Sequence, residues 1–219
     1  SEDWAIYEDD SDEHWFRTDN KGYILTDQTK KINSKWYVFD ENGIMQYGLV
    51  VLNQPKVSGS EMVGDAIDED DTEAEDIYAI NDGYLFYFSD NEETDGAMKT
   101  GSSIKISLAD DDYTFGFTKT TGEAFCGVEN NKVYRNGIRQ EADDDKYTIV
   151  YGGYGDDAVN HEYLVNSTGT RMKAQKYYKD DNDEYYVVMS GSDKEGYDIR
   201  HVETLEEAKA LVAEAKDAD

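Results

Sequence analysis

Short aromatic and β-branched runs alternate with polar stretches that end in glycine, and the alternation recurs from end to end of the chain. In SKWYVFDENGIMQYGLV, residues 34 to 50, Trp36, Tyr37, Val38 and Phe39 suit a pleated strand. Asn42-Gly43 then offers the two positive-φ residues of a tight type I′ turn, so the segment predicts a hairpin. Weaker copies follow the same order: HWFRTDNKGYIL (14 to 25), FYFSDNEETDGAMKTG (86 to 101), YTFGFTKTTGEAFCG (113 to 127), VYRNGIR (133 to 139) and EYLVNSTGTRMKA (162 to 174). The turn glycines, Gly22, Gly43, Gly96, Gly122, Gly137 and Gly169, are unevenly spaced, and three copies keep a Met shortly afterwards: Met45, Met98 and Met172. A lone hairpin buries too little apolar surface to stay folded, so each must stack on its neighbours. The pattern predicts an all-β fold of stacked, solenoid-like β-hairpin repeats.

Only the C-terminus breaks the two-residue rhythm. After a hairpin expected from Tyr185 to Ser190 and Tyr197 to Val202, ETLEEAKALVAEAKDAD places Leu205, Ala208, Leu211, Val212 and Ala215 on one helical face. Thr204 and Glu207 have the spacing of a capping box, so one short α-helix is predicted near 205 to 216, covering the open end of the stack. The expected organisation is a first hairpin segment over 1–50, an acidic linker or insertion over 51–76, a second hairpin segment over 77–190, and a terminal strand and capping helix over 191–219. The middle segment is set apart by Pro55, by the Ser58-Gly59-Ser60 turn signal, and by the acidic run from Asp68 to Asp76.

The order W-Y-x-F-D-x-x-G-x-M followed by x-x-G, best kept over residues 36 to 48, resembles the cell-wall-binding repeats of Gram-positive surface proteins. These include the choline-binding and glucan-binding modules and the related C-terminal repeats of clostridial toxins. The resemblance covers about half of the chain and implies a non-catalytic, extracellular or cell-surface module. The partners it implies are cell-wall polysaccharide, teichoic acid or another glycan, held on outward aromatic faces. The candidate ligand-binding residues are Trp36, Tyr37 and Met45, with Trp15 and Tyr87 as their counterparts in other copies. In the choline-binding version a Trp follows the last glycine and closes a cation-π cage. Here Leu49, Ser102 and Val128 follow Gly48, Gly101 and Gly127, so poor choline recognition is expected and sugar stacking is retained. The competing role is a structural or assembly protein of a surface layer, stalk or virion, with self-association.

Composition narrows the partners further. The 50 acidic against 21 basic residues give a formal charge of -29, which repels nucleic-acid phosphate and anionic membranes. The 18 Tyr, 7 Phe, 3 Trp and 18 Gly fit many strands and turns around a thin core. Cys126 excludes an intrachain disulfide by being alone, and in GEAFCG it is expected to be a small buried hydrophobe on a strand. No apolar leader opens at Ser1, and a piece of a longer secreted protein is expected.

Other motifs point away from catalysis. The G-x-G-x-x-A at Gly153, Gly155 and Ala158 follows a strand, but Asp156 and Asp157 would face a pyrophosphate and EYLV opens another strand where a helix should run. His14, His161 and His201 lie far apart without zinc spacing. DDNDE, 180 to 184, resembles the start of an EF-hand loop, yet Tyr185 and Tyr186 stand at the turn glycine and its successor. No cofactor is therefore expected beyond weak calcium binding.

Overall fold

The computed structural model describes residues 2–8, 13–89, 96–109, 111–153 and 155–218. Residues 90–95 of the third hairpin copy, Asp110 of the acidic run at 110 to 112, and Tyr154 inside the glycine motif lie outside the described residues. The chain divides into two compact units, Ser1–Ala124 and Phe125–Asp219.

In the first unit, antiparallel pairs follow one another: β1 (Trp4–Glu8) with β2 (Glu13–Arg17), β3 (Gln28–Ile32) with β4 (Lys35–Phe39), β5 (Gly48–Leu52) with β6 (Tyr84–Phe88), and β7 (Gly101–Leu108) with β8 (Asp111–Phe117). The aromatic strand expected at 36 to 39 is β4, and its partner β3 precedes it. Ile32 faces Lys35 across Asn33-Ser34, whose φ values of 48° and 71° make this the type I′ turn of the pair. Asn42-Gly43 is not a type I′ turn as expected. Only Gly43, at φ 83°, is left-handed there, in a four-residue turn closed by the Gly43 amide donating to the Asp40 carbonyl at 3.0 Å.

That turn recurs with one chemistry. Asp40 Oδ1 accepts the amides of Asn42 (2.9 Å) and Ile44 (2.8 Å), and Asp19 Oδ1 accepts those of Lys21 (2.8 Å) and Tyr23 (2.9 Å). In the second unit, Asn166 accepts from Thr168 and Thr170, and Asp180 from Asn182 and Glu184, at the same offsets. A short side chain that bonds its own backbone two and four residues on fixes the turn, and a left-handed residue closes it. In the copies at Gly22, Gly43 and Gly169 the signature is therefore Asp or Asn three residues before the glycine, as much as the glycine itself, whereas Lys119 and Tyr134 stand at that offset from Gly122 and Gly137. Asp183, at φ 63°, replaces the glycine in the last copy.

Beyond each turn the chain returns to the preceding hairpin. The amides of Met45, Met98 and Ala124 donate to the carbonyls of Trp15 (2.8 Å), Trp36 (2.8 Å) and Leu85 (2.9 Å). The same step puts two turn glycines against the previous copy: a Cβ at Gly96 would lie 2.9 Å from Met45 Cε, and one at Gly122 would run into Met98 Sδ. The recurrent Met is thus a stacking residue.

Between β5 and β6 the acidic segment is folded inside a hairpin. A turn of 3-10 helix, Glu69–Asp71, and the six-residue helix α1 (Ala74–Ala79) lie in and just beyond the stretch expected as an acidic linker or insertion. Glu73 and Asp76 form its capping box, Ile77 is fully buried, and Glu69 Oε1 accepts the Leu49 amide at 2.9 Å. The cores follow the hairpins: Leu25, Ile32, Tyr37, Phe39 and Met45 form one cluster, and Val38, Val50, Leu52, Phe86 and Phe88 another.

The second unit opens with β9 (Gly127–Glu129), β10 (Lys132–Arg135) and β11 (Ile138–Arg139), joined by left-handed pairs at Asn130-Asn131 and Asn136-Gly137. β12 (Tyr147–Tyr151) pairs with β13 (Glu162–Asn166), with a 3-10 turn, Gly155–Asn160, between them where the glycine motif stands. β14 (Lys176–Lys179), β15 (Tyr185–Ser192) and β16 (Gly196–Val202) form a three-stranded sheet. The helix α2 (Leu205–Asp217) carries the expected Thr204–Glu207 capping box, and Ala208 and Ala215 pack on Val187 and Met189 of β15. Cys126 is exposed, not buried as expected, because it precedes β9 and neighbouring Phe125 takes the inward position, its ring 5.0 Å from Tyr134. Among the described residues no helix is long and apolar enough to cross a membrane.

Candidate functional site

Trp15 and Trp36 occupy equivalent places. Each sits mid-strand or near it, on β2 and β4, and each carbonyl accepts the amide of the Met that stands after the turn of the next hairpin copy, Met45 for Trp15 and Met98 for Trp36. Both indoles are half-buried, so each offers one edge or face to solvent. The next equivalent position is Leu85, fully buried, and the aromatic series stops there.

The other expected ligand residues are committed to packing. Tyr37, 9% exposed, lies in the first core cluster with its ring 5.2 Å from Trp4. Met45 is 2% exposed beneath Gly96, which leaves it no free surface for a ligand. Tyr87 was expected to offer an outward ring, yet β6 is covered on both sides, and Tyr87 stacks on Phe117 at 6.1 Å. Trp4, expected only as the start of a strand and not as a ligand residue, completes the aromatic corner, its ring 6.0 Å from Trp15 and nearly perpendicular to it. The guanidinium of Arg17 already lies 5.5 Å from the Trp4 centroid, so a cation of the chain itself occupies that face.

A second aromatic cluster lies in the second unit. Two adjoining cavities of about 430 and 280 Å³ share Lys146, Tyr147 and Asp180. The Tyr147 ring lies 5.5 Å from Tyr178 and 6.4 Å from Tyr186, and Tyr186 lies 4.8 Å from His201. Burial pushes the Tyr178 and Tyr186 hydroxyls above their ordinary range, with the Glu184 carboxylate adding to the effect at Tyr186. Carboxylates ring this floor: Asp143 and Glu184 line one cavity, Asp145 and Asp181 the other. Both lysines are already paired, Lys146 with Asp181 and Lys179 with Asp183.

The acidic side chains of the turn at 180 to 184 are engaged within the chain. Asp180 turns one oxygen to the backbone, Asp181 and Asp183 face lysines, and Glu184 lies 3.4 Å from His201. Among the described residues no three His, Cys, Asp or Glu side chains converge as metal ligands. Tyr147 escaped the sequence reading because YTIVY reads as an ordinary strand, and only the return of β14 and β15 brings Tyr178 and Tyr186 beside it.

No family model matches the chain, and no curated protein does. Among solved structures, the modular autolysin LytC of Streptococcus pneumoniae in complex with a synthetic peptidoglycan ligand matches 84% of this chain and 36% of its own, at 18% identity and a TM-score of 0.30. Choline binding protein F of the same organism matches 79% of this chain and 48% of its own, at 19% identity and a TM-score of 0.23. Alternansucrase in complex with isomaltononaose matches 89% and 16%, at 11% identity and a TM-score of 0.21. At these TM-scores the likenesses bear on neither ligand nor activity, and the chain spans about a third of the length of the autolysin. These solved structures are a modular autolysin, a choline binding protein and a glucan-complexed enzyme, each matched over less than half of its length.

Proposed function

We propose that the chain is a non-catalytic, extracellular module that binds a bacterial cell-wall polymer or another carbohydrate along its aromatic hairpin repeats. The observation that carries this reading is the equivalence of Trp15 and Trp36: two half-exposed indoles at the same point of successive hairpins, each tied to the next Met amide. A linear polymer of repeating sugars meets such a series one residue after another, its C–H faces on the rings. The repeat geometry supplies rigidity, because each indole is anchored by core packing on its strand.

The test is pull-down on purified cell wall beside a glycan array, comparing the unmodified chain with Trp15→Ala and Trp36→Ala. Weakened capture by either variant supports the reading, and capture indifferent to both moves the contact elsewhere. A specific observation favours an assembly role as the second reading: Ile6, Tyr7, Tyr23 and Ile24 are 49 to 70% exposed in the first hairpins. Concentration-dependent sedimentation with no glycan captured would favour it.

A further inference from the structure

The first hairpin copy carries a surface built like those inside the stack and left open. Thr18 bridges Ile24 as Phe39 bridges Met45, Phe88 bridges Met98 and Phe117 bridges Ala124, so Ile24 holds the place of those three residues. Their amides donate to the preceding hairpin, whereas the Ile24 amide donates to no described residue. The side chains follow the backbone. Met45 and Ala124 are buried and Ile24 is half exposed. Tyr7, opposite His14, corresponds to Ile32 opposite Lys35 and to Leu52 opposite Tyr84, and the exposures are 60, 7 and 0%. The turn glycines agree: a Cβ at Gly43 would run into Ile24 Cγ2 and one at Gly96 would lie against Met45, but one at Gly22 would meet nothing within 4 Å. β1 is also an edge strand paired only with β2, and unlike β3, with Lys30 and Lys31, it has no lysine to blunt that edge.

We infer that this end face binds the same face of a second copy of the chain, giving a twofold dimer. Inside the stack these positions are covered by a hairpin of the same repeat, so a hairpin is the occupant whose chemistry they fit. Within the first unit the later hairpins already meet one another, which leaves the first hairpin of a second copy as the one with an open side. Two such ends close on each other about a twofold axis. Ile6, Tyr7, Tyr23 and Ile24 are then buried against their counterparts, and the Ile24 amide gains a carbonyl from the other copy's β1, as Met45 gains that of Trp15. Charge opposes the contact, because two chains of charge -29 repel one another, and salt screens that repulsion. The dimer therefore tightens as salt is added, the reverse of a contact held by opposite charges. This goes beyond the carbohydrate reading and does not rest on it.

The test is sedimentation equilibrium over a range of chain and salt concentrations, with hydrogen exchange followed at the Ile24 amide. Ile6→Lys and Tyr23→Lys each remove an exposed apolar group while lessening the net negative charge, so a weaker dimer cannot be put down to added repulsion. Tyr23 holds its turn through backbone bonds with Asp19, which Tyr23→Lys keeps. Ile149→Lys makes the same charge change at an exposed position of β12. A monomer–dimer equilibrium that tightens with salt is expected, about tenfold weaker in Ile6→Lys and in Tyr23→Lys and unchanged in Ile149→Lys. Exchange at Ile24 should slow as the chain concentration rises. Circular dichroism shows whether each variant is folded, and should Ile6→Lys fail, Tyr23→Lys decides alone. A monomer at every concentration, a dimer that weakens with salt, or one that folded Tyr23→Lys leaves unchanged would overturn the inference. Exchange at Ile24 slowed by wall polymer in a chain that stays monomeric would give the face to the glycan and overturn the dimer. A dimer with these properties in a chain that captures no wall or glycan would uphold it while the carbohydrate reading fails.

Discussion

Two glycines of the second unit form a matched pair for testing how the hairpins approach one another. Gly127 and Gly196 have almost the same left-handed backbone, φ 80° and 82°, so an alanine at either suffers the same conformational cost, about 1 to 2 kcal/mol. Part of that is offset because alanine also restricts the unfolded chain, by about 0.4 to 1 kcal/mol. Their surroundings differ. A Cβ at Gly127 would meet nothing within 4 Å, whereas one at Gly196 would lie 2.7 Å from the Glu162 amide nitrogen, 2.9 Å from His161 Cα and 3.0 Å from the Glu162 carbonyl. These are backbone atoms at the start of β13, and they cannot rotate aside. β16 must draw back from β13, an overpacking cost of about 1 to 3 kcal/mol more. Gly127→Ala should therefore lose about 1 kcal/mol and Gly196→Ala about 2 to 4 kcal/mol. Urea denaturation followed by tyrosine near-ultraviolet circular dichroism resolves that difference, since about 1 kcal/mol moves the midpoint by roughly 0.3 to 1 M. Equal losses at the two positions would refute the claim that the bare backbone at Gly196 sets the distance between these strands.

Other perturbations address the turns and the titrating groups. Asp40→Ala removes the acceptor of the Asn42 and Ile44 amides and should cost about 1 to 2 kcal/mol in urea denaturation, with Asp40→Asn close to the unmodified chain. Burial raises the Glu123 carboxyl above its ordinary value, so its contribution to stability is present below the unfolded value and lost as pH rises through the folded one. Glu123→Gln should accordingly raise the melting temperature at pH 7 and make no difference at pH 3. The Tyr197 hydroxyl is pushed up to about 12 by burial and by its hydrogen bond to Asp193, so its contribution is intact below about pH 10 and fades towards pH 12. An alkaline melt of Tyr197→Phe should decline less steeply over that interval than the unmodified chain.

Local rules carry far in this sequence, and they stop where distant segments meet. The strand runs, the terminal helix and its Thr204–Glu207 box were legible because each depends on residues within one turn or one strand. The type I′ assignment of Asn42-Gly43 failed for a local reason too: Asp40 Oδ1 captures the Asn42 and Ile44 amides and draws the turn into a four-residue loop. The acidic helix was hidden because it is six residues long, and its two buried residues, Ala74 and Ile77, span a single turn, too little to show a period. Tyr87 shows the harder limit. Alternation along β6 puts it opposite Phe86, but only pairing fixed elsewhere in the chain brings Phe117 over the second face.

Stacked hairpins leave few free aromatic faces, because each new copy covers the last. Tyr37 and Met45 carry the best-kept part of the repeat pattern and are buried for that reason: they are where one hairpin holds the next. A ligand contact must then come from residues beside the stacking pattern. Trp15 and Trp36 satisfy this by lying half-buried at the strand where the following copy attaches. If the glycan reading holds, losing either indole should weaken wall capture without lowering the urea midpoint as far as Gly196→Ala does, since each ring retains a solvent-facing part that folding does not use. A Trp36→Ala chain whose capture falls only in step with its stability would instead make Trp36 one more stacking residue.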